Sequence, residues 1–330
     1  MFFKKNKDTV KVKGVFASGE AVSDEIISNA LIGDYSEPFL AREADKKEER
    51  TLSIKTDKCR KTRIIEWILL YATAPVISLA LFFAFAAFCG IYPFGDRMMA
   101  SYDLLAQIVP YAEHFFDVIE GKSSLFYSFS IAGGADVFGT LAYCMVSPFS
   151  FLFFVMGKGN AVYTVPFILA AKIACISLSA TFFIRKMFPK INVVVIPVLA
   201  VLYTYSGYFH VANTYINWLD FMIYLPLAIW GFRVFRKTGK YIWFSVFLAC
   251  NIYACFSIAC FSLLIIYLIL FFYVVFCVKK QYRRNAITKI CLSLILTVAL
   301  ALPVMLPSFM AYICSGRNTG LFSNLNKKLS

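Results

Sequence analysis

The sequence predicts an all-α, polytopic membrane helix bundle of about seven transmembrane helices, and three observations carry that prediction. Hydrophobic residues make up 60% of the 330-residue chain and charged residues only 16%, against about a quarter charged in a soluble domain. Apolar runs recur from residue 64 to residue 312, each close to the roughly 20 residues that cross a bilayer as a helix. The charges that remain are gathered in the first 63 residues, in one acidic segment and in short basic clusters between the runs. The 35 Phe and 19 Tyr suit both the hydrocarbon and its interfaces.

Residues 1–63 carry 14 Lys/Arg and 11 Asp/Glu. Stretches such as Ala44 to Arg50 hold too little apolar surface to order themselves, so this segment is read as a disordered cytoplasmic tail. Lys58, Arg60, Lys61 and Arg63 stand directly before the first apolar run, which places the N-terminus in the cytoplasm by the positive-inside rule. The first span is expected at about 66–91. An acidic segment follows at 92–161, with Asp96, Asp103, Glu113, Asp117, Glu120 and Asp136 against Arg97, Lys122 and Lys158. Further spans are expected at about 162–184, 191–209, 216–234, 240–256, 258–278 and 286–312. The 240–278 stretch is split at a turn around Tyr253–Ser257, because it is too long for one span.

Three connections hold twelve bases and no acid: Arg185, Lys186 and Lys190; Arg233, Arg236, Lys237 and Lys240; Lys279, Lys280, Arg283, Arg284 and Lys289. All three lie on the cytoplasmic side only if 92–161 crosses the membrane an even number of times. Residues 137–157 are apolar enough to cross, yet one extra crossing would invert every cluster. Residues 141–157 are therefore read as a helix lying on or dipping into the membrane, with Ser147-Pro148 breaking it. Seven spans with an outer C-terminus follow, and 92–161 becomes an outer loop.

The net charge of +14 does not point to nucleic acid, because the basic clusters sit where orientation signals and anionic-lipid contacts belong. Seven of the ten cysteines (Cys89, Cys175, Cys250, Cys255, Cys260, Cys277 and Cys291) fall inside apolar runs, where cysteine acts as a small hydrophobe. Neither a CxxC nor a His/Cys cluster indicates zinc or a disulfide framework. No signal peptide is read, since the first long apolar run starts near residue 64. GxxxxGK[ST], HExxH and GxSxG are absent from the sequence.

In DLLAQIVPYAEHFFDVIEGK, polar residues at 103, 107, 114 and 117 share one helical face. Leu104, Leu105, Ile108, Val109, Phe115, Phe116, Val118 and Ile119 fill the other. This predicts an amphipathic interfacial helix with Asp103 as N-cap, strained or delayed by Pro110. Asp96 and Asp103, at headgroup level after the first span, suit proton acceptance from a hydroxyl or a divalent cation; an ordinary turn or cap role competes with that. Lys172 stands mid-span and needs a polar partner, either a lipid phosphate or an acidic side chain. Trp218 reads as an interfacial anchor. Asp220 lies deeper than anchoring explains. An outward cluster of Asp96, Asp103, His210, Asp220 and Arg317 is permitted by the pattern.

Three stretches resemble the YfhO family of bacterial membrane proteins: YPFGDRMMASYDLLAQIVPYAEHFFDVIEGKSSLFYSFSIAGG with YCMVSPFSFLFF after it; LAAKI; and SGYFHVANTYINWLDFMIYLPL with SGR at 315–317. The resemblance covers about 90–317. Members usually continue with more spans, so the chain resembles an N-terminal part, with a disordered tail at 1–63, a GT-C-like membrane domain at 64–317 and a short tail at 318–330. The family is similar to GT-C glycosyltransferases, whose first outer loop carries membrane-parallel amphipathic helices and a catalytic carboxylate near its start. The resemblance implies a polyprenyl-phosphate-linked sugar as donor and an envelope polymer or lipid, such as a teichoic acid, as acceptor. It implies Asp103, then Asp96, as catalytic; Lys172 and Arg317 at the donor phosphate; and Trp218, Asp220 and His210 shaping the sugar or acceptor site. No cofactor is called for, and a divalent metal is left open. A non-catalytic partner or scaffold of envelope glycosylation and a lipid or polysaccharide transporter or flippase are the alternatives.

Overall fold

In the computed structural model, residues 57–314 are described except Ala132 and Cys255; most of the predicted N-terminal tail, the C-terminal tail and Arg317 lie outside the described residues, while 57–63, expected as disordered tail, are helical. From Thr62 onward the chain forms one compact unit. Ten α-helices succeed one another among the described residues: α1 (Asp57–Phe88), α2 (Val109–Ile119), α3 (Val137–Cys144), α4 (Ala161–Met187), α5 (Val195–Thr204), α6 (Gly207–Ala212), α7 (Asp220–Thr238), α8 (Ile242–Ala254), α9 (Phe256–Cys277) and α10 (Lys280–Cys314). A two-stranded antiparallel ribbon pairs Tyr127–Ser128 with Ala135–Asp136.

Among the described residues, six helical stretches are long and apolar enough to cross a membrane: Trp67–Phe88, Ala161–Met187, Val195–Ala212, Ile216–Thr238, Ile258–Cys277 and Lys280–Ala311. α8 is apolar but has 13 residues. At 1.5 Å per residue it rises only about 20 Å, against a hydrocarbon core of about 30 Å. The long apolar stretch folds back on itself, with the rings of Phe244 in α8 and Tyr267 in α9 6.3 Å apart, so it divides into two helices as expected.

The basic connections gather at one end of the bundle. The Arg233 guanidinium donates to the carbonyls of Lys186 and Met187 at 3.0 and 2.8 Å, closing the frayed C-terminus of α4 where carbonyls lack helical partners. The Lys186 ammonium lies 6.0 Å over the Trp67 ring at the start of α1. Arg236 lies 5.4 Å over the ring of Tyr273 near the end of α9, and Arg283 at the start of α10 donates to the carbonyls of Val275 and Val278. Residues 92–161 lie at the other end, where α3 rests on the last turns of α10. Gly139 makes that approach possible: a Cβ there would come within 2.5 Å of the Ala311 Cβ.

The apolar segment at 137–157, of which 141–157 was expected as a helix on or in the membrane broken at Ser147-Pro148, is two pieces of eight residues each. α3 ends at Cys144, and a 3-10 helix (Pro148–Val155) follows. Ser147 caps the second piece by accepting the Phe149 amide at 3.3 Å, with Pro148 at its first position, where a missing N–H costs nothing. The amphipathic helix is divided as well. Pro110 enters the first turn of α2, and the wider turn before it, Leu104–Ile108, is π-helical, which accommodates a residue that cannot donate back. That turn shifts the buried face. Leu104, Ile108, Val109, Ala112 and His114 are buried while Leu105 and Ile119 are exposed, so His114 faces inward rather than outward as the spacing suggested.

The buried face of this loop helix belongs to the main core. Ala100, Leu104, Ile108 and Ala112 pack in one cluster with Phe153 of the 3-10 helix, Ile168 and Ile173 of α4, Phe209 of α6 and Leu219 and Met222 around the start of α7. A second core joins α7, α8, α9 and α10. Single cysteines placed between 125 and 136 and at 158 are expected to react with a membrane-impermeant reagent from one side only, and cysteines at 190 and 238 from the other. Mixed sidedness within either set would contradict this arrangement.

Candidate functional site

The loop leaves α1 through a closed turn. The Arg97 amide donates to the Gly90 carbonyl at 3.1 Å, and the Tyr92 amide donates to the Arg97 carbonyl at 3.0 Å. Gly90 has φ +64, and a Cβ on Gly95 would stand 2.5 Å from the Gly90 oxygen, so both positions require glycine. The next two residues, Asp96 and Arg97, are thereby fixed beside the helix exit. Asp96 is exposed. Arg97 gives one N–H to the Cys89 carbonyl at 3.3 Å, leaving the rest of its fork of donors unused among the described residues.

Six residues on, Tyr102 adopts φ +47 with its ring exposed. An aromatic residue with positive φ is strained, and such strain concentrates where a neighbouring side chain must be aimed. That neighbour is Asp103. It stands at the N-terminal end of the π-helical turn, half-buried, and makes no capping hydrogen bond, contrary to the capping role expected of it. Leu104, directly after it, is buried in the same cluster as Leu219.

The other four acids of the segment are occupied. Glu113 accepts the amides of Gly159 and Ala161 at 2.7 and 3.0 Å, capping α4 from outside its own sequence, where Asn160 supplies no side-chain cap. Asp117 and Glu120 pair with Lys158, and Glu120 also with Lys122. Asp136 caps α3 through the Gly139 amide at 3.1 Å. Among the described residues, Asp96 and Asp103 are the two acids of the loop with no hydrogen bond or ion pair.

A second constellation lies inside the bundle. The Lys172 ammonium of α4 is paired with the Asp220 carboxylate at the start of α7; the two side chains are 1% and 0% exposed. Ser147, buried at the break before the 3-10 helix, donates to the other Asp220 oxygen and accepts from Lys172 at 3.3 Å. The Phe149 ring covers the ammonium at 4.8 Å. Asp220 also occupies the first turn of α7, where the helix dipole favours negative charge. Of the two partners the sequence left open for Lys172, the acidic side chain is the one present. Ser147 is a member that sequence reasoning treated only as a helix breaker.

Asp220 does not join an outward cluster with Asp96, Asp103 and His210: it is buried against Lys172, while His210 is exposed. No hydrogen bond or ion pair joins these four to one another among the described residues. Trp218 is half-buried and stacked on Tyr215, with ring centroids 4.2 Å apart. No group of three or more His, Cys, Asp or Glu suited to a metal ion is found among the described residues.

The Lys158 clasp sets a pH window. The hydrogen bond from Lys158 holds the Asp117 carboxyl below the ordinary range; hydrogen bonds from Lys122 and then Lys158 do the same for Glu120. The bond to Asp117 raises Lys158. A depressed carboxylate favours the clasp at every pH above its unfolded value, and that contribution is lost as pH falls through the depressed value. A raised lysine loses its contribution only as pH rises through the raised value. Amide exchange at 157–161, corrected for intrinsic rate, is expected to be flat from neutral pH down to about 4 and to accelerate only below it. Lys158→Gln should loosen the segment at neutral pH and shrink that acid step to the part carried by the Gly159 and Ala161 amides on Glu113.

Residues 74–328, more than three quarters of the chain, match the family described as Bacterial membrane protein YfhO. No curated protein and no solved structure matches the chain. With an α-helical bundle carrying six membrane-crossing stretches and a structured loop at one end, and with the family match spanning nearly all of that bundle, this chain belongs to the YfhO family of bacterial membrane proteins.

Proposed function

We propose that this chain is a membrane glycosyltransferase of GT-C type, moving a sugar from a polyprenyl-phosphate donor to an envelope polymer or lipid at the loop end of the bundle. The basic end faces the cytoplasm in this reading, as the positive-inside rule requires. The observation that supports it most is the sorting of the loop's acids: four are spent on capping and ion pairs, and the two left free, Asp96 and Asp103, are the two nearest the loop's start.

Asp103 is the general base. Its carboxylate takes the proton of an acceptor hydroxyl as that oxygen bonds to the anomeric carbon, and the bond to the donor phosphate breaks on the opposite face with inversion. The leaving phosphate keeps the electron pair and needs a cation. Lys172 can serve it only if the pair with Asp220 opens. With the pair closed, Arg97, next to Asp96 in the turn after α1, is the guanidinium at the loop's start, and a guanidinium matches phosphate oxygens well. Asp96 assists at the same turn. Trp218 and His210 remain the candidates for sugar or acceptor contacts, and Arg317 for the phosphate. The bilayer supplies the donor, and nucleic acid has no part.

The test is turnover by the purified full chain given polyprenyl-phosphate sugars and envelope acceptors. Asp103→Asn is expected to lower kcat by about 10²–10⁴-fold, the range for a positioned general base, with insertion unchanged. Arg97→Gln is expected to weaken donor use more than Asp96→Asn does. Full turnover by Asp103→Asn would overturn the assignment, and donor binding without turnover by the wild-type chain would favour the non-catalytic partner.

A further inference from the structure

A cavity of about 410 Å³ lies between the loop and the bundle, on the other side of the Ser147 break from the ion pair. Met145 and Val146 before the break and Ser150 and Phe151 after it line the cavity, while Ser147 between them bonds Asp220 and Lys172. α3 contributes Phe138 and Ala142, α2 contributes Phe115, α8 contributes Tyr253, and α10 contributes Pro303 and Val304.

Three features decide what fills it. Among the described residues the lining holds no charged side chain and two hydroxyls, Ser150 and Tyr253, and the Tyr253 O–H is already given to the Leu300 carbonyl at 3.0 Å. A buried water needs two to four polar partners, so the space is unsuited to water. Its depth is the second feature. Tyr253 lies one residue from the end of the short helix α8, which began at the basic end and rose only about 20 Å, within a hydrocarbon layer of about 30 Å. The third is continuity with the bilayer interface. Phe151 is 71% exposed at the rim, and Leu302 and Leu306 on either side of Pro303 and Val304 are exposed on α10.

We propose that this cavity seats one acyl chain of a bilayer phospholipid. The size favours an acyl chain over the tail of a polyprenyl donor. At about 410 Å³ the space is of the size that takes one small apolar ligand or chain segment. A long polyprenyl chain would leave most of itself outside. The seated chain supplies the contacts that an empty apolar space would forfeit, and it holds α3 and the 3-10 helix from the face opposite Ser147. The proposal is independent of sugar transfer and needs no donor present.

The full chain in nanodiscs of phospholipid carrying a mid-chain photoactivatable diazirine tests it, with labelled peptides mapped by mass spectrometry. Label is expected on 138–154 and on α10 near Pro303. Ala142→Trp and Val304→Phe, which fill the cavity from different helices, should each lose the 138–154 label and keep that on the lipid-facing side of α9. Label on 138–154 that is absent in the wild type, or unchanged in both variants, overturns the proposal. Displacement of that label by added polyprenyl phosphate also overturns it, by assigning the seat to the donor's tail.

Discussion

The buried pair of Lys172 and Asp220 is the constraint on which the arrangement of this bundle turns. Taking two charges out of water costs several kcal/mol per ion even after relaxation, and inside a bilayer the alternatives to a partner are poor. The charges therefore have to meet with good geometry. That fixes the register of α4 against the start of α7. It also reaches into the outer loop, because the second Asp220 oxygen is satisfied by Ser147, a residue 73 positions earlier. The loop can supply a hydroxyl there only because its apolar segment breaks between Cys144 and Pro148.

From that anchor the loop builds outward. Phe153 enters the main core just past the ion pair, and the buried face of the loop helix closes over it. Glu113 then caps α4 across the chain, with the Lys158 clasp beside it. These contacts account for most of the loop's charge. What they leave are the two acids nearest the loop's start, in a stretch held by the Gly90–Gly95 contact and by the strained backbone of Tyr102. Structural and chemical roles are separated along one acidic segment, and the separation is what singles out Asp96 and Asp103.

Much of this was legible beforehand, for reasons that can be given residue by residue. Apolar run lengths and the twelve clustered bases specify the spans and which connections share an end, because both follow from the solvent. Lys172 stood out because an ion in hydrocarbon demands a partner. Its partner was not legible: Asp220 and Ser147 are distant in sequence, and nothing local marks either as facing α4. The inward turn of His114 was missed because helical spacing assumes 3.6 residues per turn, and the π-helical turn before Pro110 breaks that assumption. Residue 102 carries no sequence signal of positive φ, since tyrosine is an unlikely occupant. The shortness of α8 was hidden inside an unbroken apolar stretch whose division could be placed but whose depth could not.

The most direct measurement of the central claim is a double-mutant cycle on the pair, read by reversible unfolding of the full chain in mixed micelles. Lys172→Met and Asp220→Leu alone are each expected to cost about 3–5 kcal/mol, because each leaves one buried charge unpaired. The double variant, with neither charge, should return to within about 1 kcal/mol of the wild type. Additive losses, or single variants as stable as the wild type, would contradict the account.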